Sequence, residues 1–124
     1  MSFKNKIVLI LGGTGIIGNA IADSFDKQNA IVYRHGAKRG ICRAEIRKSE
    51  DLKKIIASIA DQHKKIDILI NSVSAPISIA PFERKHWNDF LGHLEIQLKS
   101  AVETASLVLP LMKKEKCGRI IHIL

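Results

Sequence analysis

The stretch "ILGGTGIIGNA", residues 10–20, places four glycines within seven positions, directly after the apolar run "KIVLIL" at residues 6–11. Glycine weakens regular secondary structure, so this cluster indicates that the backbone must stay bare or adopt a conformation that other residues avoid. The apolar run is typical of a strand buried on both faces, and Ile17, Ile21 and Phe25 follow at helical spacing. The sequence therefore predicts a strand, a tight glycine turn and a helix.

Such a turn is suited to holding a phosphate. Gly12 can make the tight turn, Gly15 can let a phosphate approach the backbone, and Gly18 can let the helix lie close to the strand. The free amides at the start of the helix then point towards the anion. A merely tight turn without a ligand is the alternative, but strand, helix and glycine spacing together favour a nucleotide-binding turn.

The rest of the chain alternates strand and helix patterns. Further strands are predicted over residues 30–35, 41–46, 65–71 and 118–124, with one helix starting at a Ser49 cap and a long helix over about 84–113. This alternation indicates parallel βαβ units. We expect a single dinucleotide-binding domain over residues 1–124: a Rossmann-like, doubly wound α/β sheet of five parallel strands in the order 3-2-1-4-5, truncated after the fifth strand.

Composition narrows the class of protein. With 20 Lys and Arg against 12 Asp and Glu, the net charge of +8 suits a phosphorylated ligand, nucleic acid or an ordinary basic surface. Cys42 and Cys117 indicate reduced thiols, and His86 and His93 lack a third ligand at matching spacing, so no metal site is expected. No apolar stretch reaches the roughly 18 residues of a membrane helix, so we expect a soluble cytoplasmic protein without a membrane partner.

Several motifs in order resemble the short-chain dehydrogenase/reductase family, an NAD(P)-binding Rossmann superfamily. The glycines match the spacing G-x-x-G-x-x-G, and "DILIN" at residues 67–71 and "GRIIHIL" at residues 118–124 are similar to strands of the family. "WNDFLGHLEIQLKS", residues 87–100, looks like its fourth long helix. The resemblance covers essentially the whole chain and implies the NAD(P)-binding domain of an oxidoreductase.

The resemblance also implies cofactor contacts. Gly12, Thr14, Gly15, Ile17 and Gly18 would border the pyrophosphate, Glu45 and Ile46 would lie beside the adenine, and Asn71, Ser72 and Val73 would line the path to the nicotinamide ribose. Asn71 fits equally well a structural role at a strand end, where it would tie neighbouring strands together.

Basic residues after the second strand favour NADP(H) over NAD(H). An NAD site places an acidic residue about 20 positions after the glycines, but no Asp or Glu lies between Asp26 and Glu45. That segment carries Arg34, His35, Lys38, Arg39 and Arg43 instead. Because Arg binds a phosphate dianion bidentately, we expect Arg34 and His35 at the 2′-phosphate. A solvated basic loop is the alternative.

No catalytic residue can be assigned through the resemblance. The family's reaction uses a Tyr, a Lys four residues later and a Ser, whereas Ala37 follows Tyr33 at that distance. The expected positions of the family's Ser, Tyr and Lys fall beyond Leu124, and Gln97 stands where its long helix carries an Asn. We therefore expect a domain that is catalytically incomplete on its own.

The fifth strand predicts a partner. As an apolar edge with unpaired amides it would promote association, so we expect a homo-oligomer or a complementing chain through this strand or the long helix.

Two other functional hypotheses stay open: a non-enzymatic dinucleotide-binding or redox-sensing module, and a basic nucleic-acid-binding protein. The last is disfavoured because no recognised nucleic-acid motif occurs.

Overall fold

Five parallel strands form one sheet. The computed structural model describes residues 2–36 and 42–123. The strands are β1 (Ile7–Leu11), β2 (Ile31–Gly36), β3 (Cys42–Arg43), β4 (Ile68–Asn71) and β5 (Arg119–His122). Each neighbouring pair is parallel and the order is β3-β2-β1-β4-β5. This arrangement confirms the predicted Rossmann-like fold.

Helices lie between β1 and β2, between β3 and β4, and between β4 and β5. They are α1 (Ile16–Asp26), α2 (Ser49–His63), α3 (Trp87–His93) and α4 (Ser100–Lys114), with a 3₁₀ turn over Phe82–Arg84. A π-helical segment, Leu94–Lys99, joins α3 to α4, so the predicted long helix exists but contains a wider turn. Pro110 does not end it, because α4 continues to Lys114.

The core has two layers, one on each face of the sheet. All five residues of β1 are buried. The side chains of Ile7, Leu9 and Leu11 pack with residues of α2 and α4, and those of Val8 and Ile10 pack with α1. This alternation follows the two-residue period of a strand. Since β1 and β4 are parallel neighbours, their carboxyl ends meet at one edge of the sheet.

The third strand is shorter than predicted. The range 41–46 was expected to be extended, but β3 covers Cys42–Arg43 alone, and residue 41 lies outside the described residues. The last bond to β2 is from the Ala44 amide to the Gly36 carbonyl, after which Lys48 closes a turn onto Glu45. The alternating burial of residues 42, 44 and 46 resembles a strand in sequence, although the chain has already left the sheet.

The predicted Ser49 cap is also wrong. Lys48 occupies the cap position of α2, and no side chain bonds to the first amides there. The Ser49 hydroxyl instead donates to Glu103 on α4 at 2.7 Å. The residue marks the correct start of the helix, but its side chain connects α2 to α4.

Candidate functional site

The glycine turn is held closed by its own backbone. The Gly13 amide donates to the Ile10 carbonyl at 3.2 Å, and the Gly15 amide donates to the Gly12 carbonyl at 3.1 Å. Gly12 has a φ of +73°, and a Cβ there would lie 2.7 Å from the Ser72 carbonyl oxygen. Both its conformation and its contact with the chain after β4 therefore require glycine.

The other glycines separate into two groups. A Cβ on Gly18 would overlap the Gly12 carbonyl, and a Cβ on Gly13 would lie 2.9 Å from the Ile10 carbonyl oxygen, so close packing requires both glycines. Gly15 differs, because its φ of −78° suits any residue and the nearest atom to an added Cβ is 3.4 Å away. Neither the conformation nor the packing of the described chain explains glycine at this exposed position.

An open cleft of about 380 Å³ lies beside Gly15, between the start of α1 and the loop that follows β4. Its lining residues are Gly15, Ile16, Ile17, Gly18, Ser72, Val73, Ser74, Gln97 and Ile123. The cleft lies at the carboxyl edge of the sheet between β1 and β4, where doubly wound folds bind their ligands.

The start of α1 is electrostatically suited to an anion. The first amides of a helix have no carbonyl partner within it. In α1 the amide of Asn19, the fourth residue of the helix, donates to the Gly15 carbonyl at 2.8 Å, and the amides of the three residues before it precede that bond. The first turn of α1 carries no acidic side chain that would occupy those amides. The helix dipole therefore favours negative charge at the cleft.

The structure brings five of the predicted residues into this cleft. Gly15, Ile17, Gly18, Ser72 and Val73 line it. Glu45 and Ile46, the two residues predicted beside the adenine, do not line this cleft. The Ile46 side chain is part of the core that contacts α2, and the exposed Glu45 carboxylate accepts the Arg47 amide at 3.3 Å.

Thr14 and Gly12 belong to the turn itself and do not line the cleft. Thr14 is partly exposed at the tip of the turn, one residue before Gly15. Three lining residues, Ile16, Ser74 and Ile123, carry no sequence signal of their own. Only the structure assigns them to the cleft, because the β1–α1 turn, the loop after β4 and the end of β5 meet at the carboxyl edge of the sheet.

Asn71 ties the end of β4 to the long helix. Its side chain is buried, its Oδ1 accepts the Val73 amide at 3.2 Å, and its Nδ2 donates to the Ser100 hydroxyl at 3.1 Å. The Ser100 hydroxyl donates in turn to the Ile96 carbonyl in the π-helical segment. The side chain therefore joins β4 to the loop after it and to the long helix, not to a neighbouring strand as the structural alternative predicted, and it holds Val73 at the cleft.

His35 is buried and does not line the cleft. It is 2% exposed, its Nδ1 lies 3.3 Å from the Gly12 amide, and its Nε2 lies 2.9 Å from the Ala44 carbonyl oxygen. Burial lowers the pKa of its imidazole, although the Ala44 carbonyl and the Glu45 charge oppose this effect. Both ring nitrogens therefore contact the protein's own backbone.

The guanidinium of Arg34 is paired with two carboxylates of α1. Its Nη2 lies 2.7 Å from Asp23 Oδ1 and 2.7 Å from Asp26 Oδ2. A phosphate at Arg34 would have to compete with both carboxylates. Arg43 is exposed and pairs in register with Gly36 at the end of β2. Lys38 and Arg39 lie outside the described residues.

Two other classes of site find no support. Among residues 2–36 and 42–123, no group of three or more His, Cys, Asp or Glu is placed to hold a metal ion. Within the same described ranges, no helix combines the length and the apolarity needed to cross a bilayer.

Comparison with known sequences gives one family. Residues 6–124 match the family model described as short chain dehydrogenase. A tropinone reductase homolog of Arabidopsis thaliana is 32% identical over 142 residues, covering 98% of this chain and 52% of the relative. A 3-oxoacyl-[acyl-carrier-protein] reductase of Salmonella typhimurium is 27% identical, with 99% and 56% covered. The chain thus spans about half the length of the curated relatives that it matches.

Solved structures agree with the sequence comparison. A short chain dehydrogenase from Leptospira borgpetersenii with bound NAD⁺ is 28% identical and superposes with a TM-score of 0.84, covering 98% of this chain and 52% of that one. An aldohexose dehydrogenase from Thermoplasma acidophilum has a TM-score of 0.87 at 18% identity, covering 97% and 49%. The second likeness concerns the fold alone.

Proposed function

Because the chain belongs to the short-chain dehydrogenase family, we propose that its cleft binds the pyrophosphate of a nicotinamide dinucleotide against Gly15. The observation that carries this proposal is the glycine that the fold does not require. An exposed residue with ordinary φ and free space for a Cβ can be any amino acid, unless a ligand must touch its backbone. The unpaired amides at the start of α1 supply the favourable charge beside it.

In this proposal the chain is one domain that binds and orients the cofactor of an oxidoreductase. A nicotinamide dinucleotide supplies hydride transfer when bound. The reaction also needs a group that moves a proton, and the nine described residues that line the cleft are Gly, Ile, Ser, Val and Gln. Since none of these side chains ionises near neutral pH, we propose that proton transfer depends on residues outside this cleft.

NADP(H) is the proposed cofactor. The support comes from the sequence between Asp26 and Glu45, which has basic residues and no acidic one. Arg43 is the described residue best suited to a 2′-phosphate, because it is exposed and lies beside the end of β2. Arg34 contributes less, since two carboxylates already hold it.

Calorimetric titration of the chain with NADP⁺ and NAD⁺ tests these proposals. We expect saturable one-to-one binding of both, with NADP⁺ about tenfold tighter, and Arg43→Ala should remove most of that difference. Arg119→Ala is the matched control, because this exposed arginine begins β5 at the opposite edge of the sheet. NADPH mixed with carbonyl compounds should show no oxidation by this chain alone. Binding of duplex DNA at physiological salt, without dinucleotide binding, would indicate a nucleic-acid-binding protein instead.

An apolar stripe supports a partner for the long helix. Exposed apolar side chains recur every three or four residues along α3, the π-helical segment and the start of α4, namely Trp87, Leu91, Leu94, Leu98 and Val102, and Leu109 follows two turns later. Leu98 and Val102 are each 58% exposed. We propose that a second copy of the chain packs here, because such a stripe on a helix normally faces another helix.

Light scattering coupled to gel filtration tests this oligomer. Leu98→Glu should convert a dimer to a monomer, whereas Ile79→Glu should not, although Ile79 is 97% exposed and equally apolar. A wild-type monomer at all concentrations would contradict the oligomer.

The free cysteines, buried Cys42 and exposed Cys117, are compatible with the reducing cytoplasm that we propose as the compartment of this protein.

A further inference from the structure

We propose that His35 is a positioning residue, whose neutral imidazole holds the glycine turn in the shape that receives the dinucleotide. This inference rests on the proposed function of the cleft. His35 itself is 2% exposed and has no direct access to a ligand in the cleft. Its influence would pass through Gly12, the first glycine of the turn.

The two bonds of His35 define its protonation state. The Gly12 amide can only donate, so Nδ1 must accept from it at 3.3 Å. The Ala44 carbonyl can only accept, so Nε2 must donate to it at 2.9 Å. Only the neutral imidazole with its proton on Nε2 satisfies both partners.

The imidazole therefore connects two segments that are distant in sequence. Gly12 lies 23 residues before His35, and Ala44 lies nine residues after it. Gly12 is also the residue on which Gly18 packs and which contacts the Ser72 carbonyl. A change in the Gly12 peptide would therefore reach both the start of α1 and the β4 loop, the two walls of the cleft.

The charged groups around His35 leave this state undisturbed at neutral pH. Cys42 pairs with His35 in register on β3, and burial raises the pKa of its thiol, so it stays neutral. Glu45, after β3, favours a protonated imidazole, but burial outweighs it and the pKa of His35 remains below its ordinary value. On the same strand, the Arg34 guanidinium is paired with Asp23 and Asp26 of α1.

Protonation would remove the acceptor that the turn uses. Nδ1 would then carry a proton facing the Gly12 N–H, so two donors would oppose each other in a buried position. Because the pKa is lowered from 6.5, dinucleotide affinity should be constant above about pH 6.5. Below the folded-state pKa it should fall by about tenfold per pH unit, since only the neutral form binds.

Titration with NAD⁺ between pH 8 and pH 5 tests the role. NAD⁺ is preferred to NADP⁺ as the probe, because a phosphate monoester changes charge near pH 6 and would add its own pH dependence. His35→Asn places an amide oxygen near the position of Nδ1 and does not titrate. We expect this variant to bind NAD⁺ within about threefold of wild type at pH 8 and to lose the decrease at low pH. His35→Leu, with no acceptor, should bind NAD⁺ about tenfold or more weakly than wild type at pH 8 and should not lose further affinity at low pH.

The imidazole ¹⁵N shifts of the free chain give a readout that needs no ligand. They should show the proton on Nε2 and a pKa for His35 below 6.5, with the Gly12 amide shift following the same titration. A proton on Nδ1, or a decrease in affinity that persists unchanged in His35→Asn, would overturn the inference. So would affinity that stays flat while His35 titrates. Absence of NAD⁺ binding at every pH would refute the proposed function itself, and the positioning role would fail with it.

Discussion

Replacing Gly15 by glutamate is the sharpest test of the cleft. The backbone accepts the change, because φ is −78° and the nearest atom to the new Cβ is 3.4 Å away. The carboxylate would occupy the first position before α1, where negative charge stabilises a helix by about 0.3–1 kcal/mol. We therefore expect the melting temperature of Gly15→Glu to equal or slightly exceed that of wild type.

Dinucleotide binding should respond in the opposite direction. A carboxylate about 4 Å from a phosphate charge repels it by about 1 kcal/mol in water and about 4 kcal/mol at the effective dielectric of a protein surface. The cleft is open, so we take about 2 to 4 kcal/mol for the pyrophosphate as a whole. This corresponds to a loss of affinity of about 30- to 700-fold.

Calorimetry with NADP⁺ and thermal melts by circular dichroism measure the two effects. Gly15→Gln has nearly the same size without the charge, so it separates steric from electrostatic loss. Gly92→Glu adds the same charge at a position where an added Cβ meets no atom within 4 Å. An affinity of Gly15→Glu within threefold of wild type would show that no phosphate lies there. A large fall in its melting temperature would show that the fold itself requires this glycine.

The remaining predictions concern the stability of the fold. Gly18→Ala should destabilise the chain by about 3 kcal/mol or more, because its Cβ would overlap the Gly12 carbonyl. Gly92→Ala should stabilise α3 by up to about 1 kcal/mol, because an added Cβ there meets no atom within 4 Å. Urea titrations measure the free energy of unfolding of both variants. Burial opposes ionisation of Asp67, but its bonds to the Ile7 amide and to lysines outweigh this and lower its pKa. Stability from Asp67 should therefore be complete above about pH 4 and decline as the pH falls further. Asp67→Asn should lower stability at pH 7 by about 1–3 kcal/mol and flatten that decline; an unchanged acid profile would contradict this.

Local patterns explain why much of the fold follows from the sequence. The glycine spacing, the uniformly apolar β1 and the alternation of elements are all short-range signals, and together they predict the strand order 3-2-1-4-5 that the structure has. They fail where burial continues beyond a strand. Ala44 and Ile46 are buried like strand residues, yet both follow the end of β3.

The candidate site was harder to predict where partners come from distant positions. The count of charges after β2 indicates a phosphate site, but it does not show that Asp23 and Asp26, eleven and eight residues before Arg34 respectively, reach its guanidinium. His35 looks like a solvent-facing base in sequence and is an internal bridge in the structure. Both outcomes depend on side-chain direction across elements, which neither composition nor spacing records.

The π-helical segment acts as a rotational offset within the long helix. A π turn contains one residue more than an α turn, and each residue of an α-helix advances the side-chain direction by about 100°. The wider turn absorbs its additional residue, so α3 keeps nearly the direction relative to α4 that a regular helix one residue shorter would give. A regular α-helix with the full number of residues would instead turn Trp87 by about 100° out of the line that it shares with Val102. The wall of the cleft that Gln97 forms and the apolar stripe of the long helix therefore depend on the same wider turn.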